Sequence, residues 1–409
     1  MNKKILFLSA NDFKEKSIQV IKKTPEFYIK KGWKVIYLVA RDNSKTGNYF
    51  YEKEINPEGV DVIRFQMPLC KLKDYFKNHI IKTIFSKIIG VITILFIFVK
   101  AVRLIKKYKI HVLYGYEIHG VLSSSLCRLI YGNKLVYIHR FMGTWLTAYY
   151  KQKRWLKLFL NFDAILALKL DSDLLIMTND GTQGDKALQI FKSKSLKNYR
   201  FWTNGVDEQK LDIEEVRYFK HFLGLKDEKI FLSISRLESW KRVDRIIHSL
   251  ALIKEKDFKY FIIGDGQLKD TLNQLIQKKG LSEKIVFVGA IPNSEVKKYL
   301  NIADVFFSFY DLSNVGNPLL EAIRTNKIIF TLNNGDTKNW IEHKKNGFIY
   351  DIDESLYQNI KNDLNELIEN TQLKNKILYN IRKTEIEKLK TWEERLDMEV
   401  REVERLVKC

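Results

Sequence analysis

The sequence predicts an α/β protein built from two doubly wound parallel sheets. Twelve short runs rich in β-branched and aromatic residues alternate with helical stretches along the chain. Alternation of this kind produces parallel sheets that are covered by helices on both faces. A turn-rich break at residues 203–206 separates the runs into two series of six. We therefore predict two domains that face one another across a cleft.

The strands of the two domains are predicted from these runs. The first series lies at residues 4–10, 34–40, 61–65, 110–116, 134–139 and 173–178. The second series lies at residues 229–235, 258–264, 284–289, 303–309, 327–332 and 347–351. The predicted domains are residues 1–203 and 204–384. A final amphipathic helix within 385–409 is expected to return to the N-terminal domain, because Trp392, Leu396, Val400, Val403 and Leu406 recur at three-to-four spacing.

The most hydrophobic stretch is residues 80–105, between the third and fourth predicted strands. Its uncharged part, residues 88–99, is shorter than the roughly 20 residues that span a bilayer. Basic residues flank it on both sides. Two interpretations stay open: a buried crossover helix, and a helix that lies in a membrane interface.

The net charge of +21 comes entirely from the first half of the chain. Residues 1–200 hold 36 basic and 15 acidic side chains, whereas the remainder holds 34 of each. This asymmetry indicates an anionic partner, such as a membrane, a nucleic acid or an acidic substrate, or else a solvated lysine-rich surface. Three dispersed cysteines, Cys70, Cys127 and Cys409, form no disulfide framework or zinc motif and favour a reducing, intracellular setting.

Two motifs in the second half could bind phosphate groups. Arg236 and Lys241 follow the strand at 229–235, where a guanidinium and an ammonium could hold a diphosphate. The alternative for this motif is a surface ion pair with Glu238 or Asp244. The run at 314–322 follows the strand at 303–309 and opens a helix whose amides could bind an anion, while Glu321 could accept sugar hydroxyls. The alternative is a capped helix with a solvated Glu321.

Weaker candidates lie elsewhere along the chain. Residues 264–266, Gly-Asp-Gly, are typical of a tight turn without a ligand. His139 ends a strand of the first half, and Glu117 and His119 end the preceding one, which makes them candidate cleft residues. For His139 a structural hydrogen-bonding role is the alternative. No cluster of His, Cys, Asp or Glu has the spacing of a metal site, so no metal is expected.

In order and spacing, these motifs resemble glycosyltransferase family 4, whose members have the GT-B fold of two Rossmann-like domains. The similar segments are 204–207, Arg236 with Lys241, 264–266, 287–289, 303–305, 316–322 and 346–347, within residues 170–350. In the first half only the strand pattern and His139 match. The resemblance implies transfer of a sugar from a nucleotide diphosphate donor, with retention at the anomeric carbon and without a metal.

The resemblance also implies roles for particular residues. Arg236 and Lys241 would stabilise the leaving diphosphate, Glu321 would bind the ribose hydroxyls, and His139 would contact the sugar or the phosphate. The other donor-binding positions are Gly289, Ala290 and Ile291 toward the base, and Asn314, Gly316, Asn317 and Leu319 toward the phosphates. The acceptor-side candidates are Asn11, Asp12, Glu117 and His119.

The chain departs from the family pattern in three places. Ser313 stands where the family has a glutamate, and the nearby Asp311 could substitute for it. Pro318 removes one amide donor. Residues 10–13, Ala-Asn-Asp-Phe, replace a glycine pair on the acceptor side.

We expect a cytoplasmic enzyme, peripheral on the inner face of the membrane, that extends a lipid-linked or other glycan acceptor. Residues 80–109 and 151–160 are expected to dock on anionic lipid, because basic and apolar side chains occur together there. The alternatives are a nucleotide-sugar epimerase of the same fold, a basic nucleic-acid-binding protein and an inactive transferase. Nucleic acid is not the expected partner, since no known nucleic-acid-binding motif is present.

Overall fold

The computed structural model describes residues 3–13, 19–45, 54–76 and 78–408. Cys409 lies outside the described residues. The chain forms two compact units. The first comprises Met1–Asn179, Gly184–Asn204 and Trp392–Cys409, and the second comprises Asp180–Gln183 and Gly205–Thr391. The predicted boundary at residue 384 falls inside a helix, Thr371–Lys388, and the second unit continues to Thr391.

The first unit contains a parallel sheet of seven strands in the order β3-β2-β1-β4-β5-β6-β7. The strands are β1 (Lys4–Ser9), β2 (Lys34–Arg41), β3 (Asp61–Gln66), β4 (Val112–Tyr116), β5 (Val136–Phe141), β6 (Leu174–Thr178) and β7 (Tyr199–Trp202). Six of the seven were predicted. The edge strand β7 was not predicted, because its four residues, Tyr-Arg-Phe-Trp, include no β-branched side chain.

Among the described residues, seven helices of the first unit cover the two faces of this sheet, in addition to a last helix within residues 392–408. They are α1 (Gln19–Lys30), α2 (His79–Tyr108), α3 (Glu117–Tyr131), α4 (Leu146–Lys151), α5 (Trp155–Leu160), α6 (Phe162–Lys169) and α7 (Gly184–Ile190). Fully buried side chains occur in β1, β2, β4, β5 and β6, which lie between the two edge strands of the sheet. Helices on both faces explain why these strands read as nearly continuous apolar runs.

Helix α2 is buried along one face and exposed along the opposite face. It is the crossover between β3 and β4, and its residues Ile97, Ala101 and Ile105 are buried against the sheet. Its opposite face exposes a stripe of apolar side chains at three-to-four spacing. The exposed fractions lie between 46% and 53% for Ile84, Ile88, Val91, Leu95 and Val99.

The length expected for this apolar segment was wrong. Residues Ile81–Tyr108 form a helix that is long and apolar enough to cross a membrane by length and composition. About a third of its most apolar window, 33%, is buried within the protein. The charge-free run is shorter than the helix, because the helix continues through Lys100 and the flanking lysines.

The second unit contains a parallel sheet of six strands in the order β10-β9-β8-β11-β12-β13. The strands are β8 (Lys229–Ile234), β9 (Phe258–Ile263), β10 (Ile285–Gly289), β11 (Val305–Ser308), β12 (Ile328–Leu332) and β13 (Phe348–Tyr350). The helices are α8 (Ile213–Phe222), α9 (Val243–Ala251), α10 (Lys269–Lys279), α11 (Asn293–Ile302), α12 (Asn317–Arg324), α13 (Leu356–Glu369) and α14 (Thr371–Lys388). All six strands were predicted.

Each sheet has one point at which the strand order reverses. In the first sheet this point lies between β1 and β4, and in the second it lies between β8 and β11. In open parallel sheets, ligands bind outside the carboxyl ends of the strands at such a switch point. The segments that follow β8 and β11 are those that carry the two strongest motifs of the sequence.

The last helix, α15 (Trp392–Lys408), packs on the first unit, as predicted. Trp392, Leu396, Val400 and Val403 are buried in the same core as β1, β2 and α1, and Leu406 is partly buried there. Burying a large apolar side chain stabilises a fold by about 1.5–3 kcal/mol. The helix is therefore an integral part of this unit, although it is the most distant in sequence.

A buried ionic cluster accompanies this packing. Glu399 on α15 is fully buried and accepts hydrogen bonds from the Tyr114 hydroxyl at 2.7 Å and from the Arg140 guanidinium at 2.9 Å. Arg395 donates to the same carboxylate at 3.2 Å and to the Thr203 carbonyl at 3.1 Å. Two guanidiniums thus share one carboxylate within the core.

Candidate donor site

The switch point of the second sheet brings the two phosphate-binding motifs together. The loop after β8 carries Arg236 and Lys241, and the loop after β11 leads to α12. A hydrogen bond of 2.9 Å from the Asp311 amide to the Trp240 carbonyl joins the two loops. The sequence motifs, which lie about 80 residues apart, therefore occupy one place in the fold.

Lys241 lies between two aromatic rings. Its Nζ is 4.0 Å from the centroid of the Trp240 ring and 3.7 Å from that of the Tyr310 ring. Such rings attract an ammonium through their quadrupole. Burial, with a smaller contribution from the charge of Arg236, lowers the pKa of Lys241 to about 7.

Arg236 is the more accessible of the two cations. Its side chain is 70% exposed, and its Nη1 pairs with Glu238 at 2.8 Å. Glu238 also accepts a hydrogen bond from the Trp240 indole at 2.6 Å. The ion pair with Glu238 that the sequence left as an alternative is thus formed by Arg236. Asp244 pairs instead with Arg242.

The Gly-Asp-Gly turn supports the loop after β8. A Cβ at Gly264 would lie 1.8 Å from the Ser235 carbonyl oxygen, and one at Gly266 would lie 2.6 Å from that of Leu237. The Leu237 amide donates to the Asp265 carbonyl at 2.9 Å. The glycines permit this close approach of two backbone segments, as expected of a tight turn.

The Asn314 side chain forms hydrogen bonds within the turn that follows β11. Its side chain is buried, and its Oδ1 accepts from the Ser308 hydroxyl at 2.9 Å and the Tyr310 amide at 3.1 Å. Its Nδ2 donates to the Tyr310 carbonyl at 2.9 Å and to Asn334 Oδ1 at 2.6 Å. Both donors and the acceptor are used internally. The Asn314 side chain thus fixes the turn after β11, and the predicted contact of this residue with the nucleotide sugar stays a prediction.

Helix α12 begins at Asn317, with Gly316 as its N-cap and Pro318 in its first turn. Gly316 has no side chain and so leaves the first amides without a side-chain cap. The Leu319 amide donates to the Gly316 carbonyl at 3.1 Å, and the Leu319 side chain is buried. Leu319 is thus less suited to phosphate binding than predicted, whereas Gly316 and Asn317 open the helix at the switch point.

The residues predicted to contact the ribose and the base are Glu321, on α12, and residues 289–291. Glu321 is 4% exposed, and the Asn293 side-chain amide is 3.5 Å from its Oε1. Residues 289–291 follow β10 and precede α11; Gly289 has a φ of +84°, and Ala290 is exposed. Glu321 is therefore a shielded carboxylate, not the solvated one that was the alternative.

The suggested substitute for the missing glutamate, Asp311, is already paired. Its Oδ1 lies 2.6 Å from Nη1 of the buried Arg245 and 3.7 Å from Nη1 of Arg242. Arg245 also donates to the Phe309 carbonyl at 3.1 Å. Asp311 thus anchors the loop to α9, and its suggested role in place of the missing acid stays a prediction.

A different carboxylate lies beside Ser313. The Ser313 hydroxyl donates to Asp180 Oδ2 at 2.9 Å, and Ser313 itself adopts a left-handed backbone conformation with φ of +60°. Asp180 follows β6 in a turn, Asn179-Asp180-Gly181, and this strand-end position was the available sequence signal. Sequence reasoning also assigned no role to the rings of Trp240 and Tyr310.

The acceptor-side candidates follow β1 and β4 at the switch point of the first sheet. Asp12 is 2% exposed, and it pairs with Arg41 at 2.9 Å and with Arg64 at 3.0 Å. The Asn11 backbone forms a turn with the Ser9 hydroxyl, with its amide donating at 2.8 Å. Asp12 therefore holds two strands together in this structure, and its carboxylate is engaged by two guanidiniums.

Glu117 and His119 open α3. Glu117 has a φ of +53° and accepts a hydrogen bond of 2.6 Å from the Met142 amide, next to a cavity of about 140 Å³ that Thr144, Trp145 and Asn161 also line. His119 lies against α2, where a Cβ at Gly90 would be 3.3 Å from its Nε2. Burial lowers the pKa of His119 to about 4. Glu117 thus borders an open space in this part of the unit.

His139 is fully buried in β5, and neither ring nitrogen has a hydrogen-bond partner among the described residues. Burial lowers its pKa to about 3. The structure places His139 in the core near the end of β5, and its predicted contact with the sugar or the phosphate stays a prediction. Among the described residues, no group of three or more His, Cys, Asp and Glu side chains could hold a metal ion.

Comparison with known proteins agrees with the geometry of the second unit. The family model for glycosyl transferases group 1 matches residues 217–384. Two proteins named alpha-monoglucosyldiacylglycerol synthase are similar to this chain. The one from Acholeplasma laidlawii is 27% identical over 36% of this chain and 38% of its own length. The one from Streptococcus pneumoniae is 29% identical over 34% and 32%.

Structural similarity extends over nearly the whole chain. The structure of Anabaena HepE in complex with UDP aligns with a TM-score of 0.72, at 16% identity, over 98% of this chain and 99% of that one. This similarity concerns the fold, whereas the sequence matches cover less than two fifths of each curated relative, 38% and 32%. The family match, the relatives and the two-sheet GT-B architecture agree, and residues 217–384 of this chain match the family model for glycosyl transferases group 1.

Proposed function

We propose that this protein is a retaining glycosyltransferase that moves a sugar from a nucleotide diphosphate sugar to a glycan or lipid-linked acceptor. The observation that carries the proposal is the switch point of the second sheet. There Arg236 and Lys241 meet the loop that leads to the uncapped N-terminus of α12. Two cations and a helix N-terminus form a suitable environment for a diphosphate. UDP bound to a protein of the same fold is consistent with this choice of ligand.

In this mechanism the cations act on the leaving group. Negative charge grows on the diphosphate as the glycosidic bond breaks, so Arg236 and Lys241 stabilise the transition state more than the ground state. The leaving phosphate itself accepts the acceptor's proton during front-face attack, and no protein nucleophile is needed. Glu321 binds the ribose hydroxyls. We propose that these groups suffice without a metal, so turnover should survive EDTA.

The test is turnover with a panel of nucleotide sugars, including slow hydrolysis in the absence of an acceptor. Arg236→Ala and Lys241→Ala should each lower turnover about 10- to 150-fold, because each removes a charge-assisted contact of roughly 1.5–3 kcal/mol. Lys278→Ala is the matched control, since Lys278 is exposed on α10 of the same unit. Wild-type turnover in either test variant would contradict the diphosphate site.

We also propose that the first unit docks on an anionic membrane and thereby meets a lipid-borne acceptor at the cytoplasmic face. Beside the stripe on α2, helices α5 and α6 expose Trp155, Leu156, Phe159 and Phe162, between 54% and 74%. The ion pair of 2.7 Å between Lys87 on α2 and Asp163 on α6 joins the two apolar sets. Two relatives are named as synthases of a glucosyl diacylglycerol lipid, and this name agrees with a lipid-borne acceptor.

Charge complementarity favours lipid over a protein partner for this surface. Lys153, Arg154 and Lys157 are exposed around the apolar side chains of α5, and Arg103, Lys106 and Lys107 are exposed at the end of α2. Each basic residue near an anionic surface adds about 1 kcal/mol to binding. Basic and apolar side chains on one face are the features of a peripheral membrane surface.

Vesicle co-sedimentation tests this docking. Binding to anionic vesicles should exceed binding to zwitterionic ones and fall at about 0.5–1 M salt, where the Debye length is a few Å. Replacing Trp155 and Phe159 by Ser should weaken binding, whereas the same change at Tyr218 and Phe222, exposed at 73% and 70% on α8 of the second unit, should not. Equal binding of both vesicle types, or release by detergent alone, would contradict peripheral electrostatic docking.

A further inference from the structure

The segment Asp180–Gln183 belongs to the second unit, although the residues on both sides of it belong to the first. Several contacts hold it there. The Val315 amide donates to the Asp180 carbonyl at 3.2 Å, and the Gln183 side chain donates to the Gly335 carbonyl at 3.1 Å. A Cβ at Gly335 would lie 1.8 Å from the Gly181 carbonyl oxygen. The segment is therefore packed backbone to backbone against the loops that follow β11 and β12.

This packing fixes the Asp180 carboxylate beside Ser313. Its Oδ1 accepts from the Thr182 amide at 3.0 Å and from the Thr182 hydroxyl at 2.6 Å. Its Oδ2 accepts from the Ser313 hydroxyl at 2.9 Å. A carboxylate has about four acceptor positions, so Oδ2 retains the capacity to accept a further hydrogen bond. Burial raises the pKa of Asp180, whereas these donors favour its ionised form.

The position of Asp180 relative to the cations indicates what it could bind. Its charge acts on Lys241, where it favours the ammonium form, and its backbone is bonded to Val315, two residues before α12. A carboxylate repels a phosphate. The part of a nucleotide sugar that can lie against it is therefore the part that carries hydroxyl donors, next to the diphosphate.

We propose that Asp180, oriented by Ser313, accepts a hydrogen bond from a hydroxyl group of the sugar in the nucleotide diphosphate donor. The inference rests on the proposed function of the same site and adds a sugar-binding residue to it. Asp180 supplies the carboxylate that position 313 lacks, from a segment 133 residues away in sequence. Ser313 acts through Asp180 and is a positioning residue.

The test separates the sugar from the nucleotide. Calorimetry with the full chain would measure the Kd of UDP, UDP-glucose and UDP-N-acetylglucosamine. Asp180→Asn keeps the shape of the side chain but removes its charge. We expect it to weaken binding of the preferred nucleotide sugar about 10- to 100-fold more than it weakens binding of UDP. Ser313→Ala should give a smaller loss of the same kind, about three- to tenfold.

Asp257→Asn is the matched control, because Asp257 is exposed just before β9, at the opposite end of the strands. Thermal midpoints would confirm that each variant is folded. An equal loss for UDP and its sugars, or no loss for any sugar, would overturn the inference while leaving the proposed function intact. Failure of the unaltered protein to bind UDP and both sugars would overturn the proposed function, and the inference with it.

Discussion

The surroundings of single side chains decide which charges can act in the donor site. Lys241 is enclosed by the Trp240 and Tyr310 rings, and burial brings its pKa to about 7. A guanidinium stays charged in proteins, and the Arg236 side chain is mostly exposed. The two cations are therefore not equivalent, since one is permanent and the other depends on pH.

We expect nucleotide diphosphate binding to weaken as the pH rises above 7. The free protein loses the Lys241 ammonium through this range, and a neutral amine attracts phosphate much less. If only the ammonium form binds, the Kd of UDP should rise about tenfold per pH unit. Calorimetry between pH 6 and 9 measures this slope. Lys241→Arg is the control. Because a guanidinium stays charged, the Kd of UDP should change little with pH in this variant. An unchanged slope in that variant would rule out Lys241 as its source.

Buried histidines should make the first unit sensitive to acid. The pKa of His139 is about 3 and that of His119 about 4, whereas an unfolded chain has a histidine pKa near 6.5. Below pH 6.5 the unfolded state therefore binds more protons, and stability is lost as the pH falls. Between pH 6.5 and 5 each histidine should cost about 2 kcal/mol. In urea titrations, His139→Phe should lose less free energy of unfolding between pH 6.5 and 5 than the unaltered protein. A loss equal to that of the unaltered protein would contradict this account.

At the scale of elements, the largest single dependence concerns α15. Its apolar face completes the core of the first unit, and Glu399 pairs with both Arg140 and Arg395 there. Breaking a buried ion pair by removing one partner costs more than forming the pair gains, because the remaining charge is left uncompensated. The sequence predicted the apolar face of α15 but not this ionic cluster.

Glu399→Gln should therefore destabilise the first unit by about 3–5 kcal/mol, as expected for an unpaired buried charge. The same change at Glu393, whose pair with Lys30 is 65% and 62% exposed on the same helix, should cost less than about 1 kcal/mol. Chemical denaturation of both variants measures the difference. A similar effect of the two substitutions would show that burial of the cluster does not matter.

How far the sequence predicted the structure also differs between elements. Twelve of the thirteen strands were predicted from β-branched runs, because local composition determines them. The strand β7 and the full extent of α2 were not, since one lacks that composition and the other continues through lysines. At the site, Arg236 and Lys241 were proposed from the sequence because they follow a strand. Asp180 was not, because its partner Ser313 lies far away in sequence.

At the scale of the whole molecule, the two halves of the chain differ in charge. The first 200 residues carry the entire net charge of +21, and the remaining residues are neutral. A neutral donor-binding unit does not repel or attract nucleotide sugars at long range, so selection there depends on local contacts. The basic half is suited to an extended anionic surface.

Thermal melting distinguishes the proposed function from nucleic-acid binding. Ligand that binds only the folded state stabilises it by about 2.7 kcal/mol at 100 times its Kd. UDP should therefore raise the melting temperature of the second unit. Single-stranded oligonucleotides at physiological salt should not change the melting temperature of either unit. A shift by oligonucleotide alone would favour the nucleic-acid alternative.

The chain passes between the two units at four points, after Asn179, Gln183, Asn204 and Thr391. A gene fragment that encodes only residues 205–391 would therefore omit Asp180, although it would contain both cations and α12. The same holds for recombination between relatives. In a chimera joined at residue 204, the segment 180–183 comes from the other parent, so sugar preference would be inherited partly from the half that does not carry the nucleotide site.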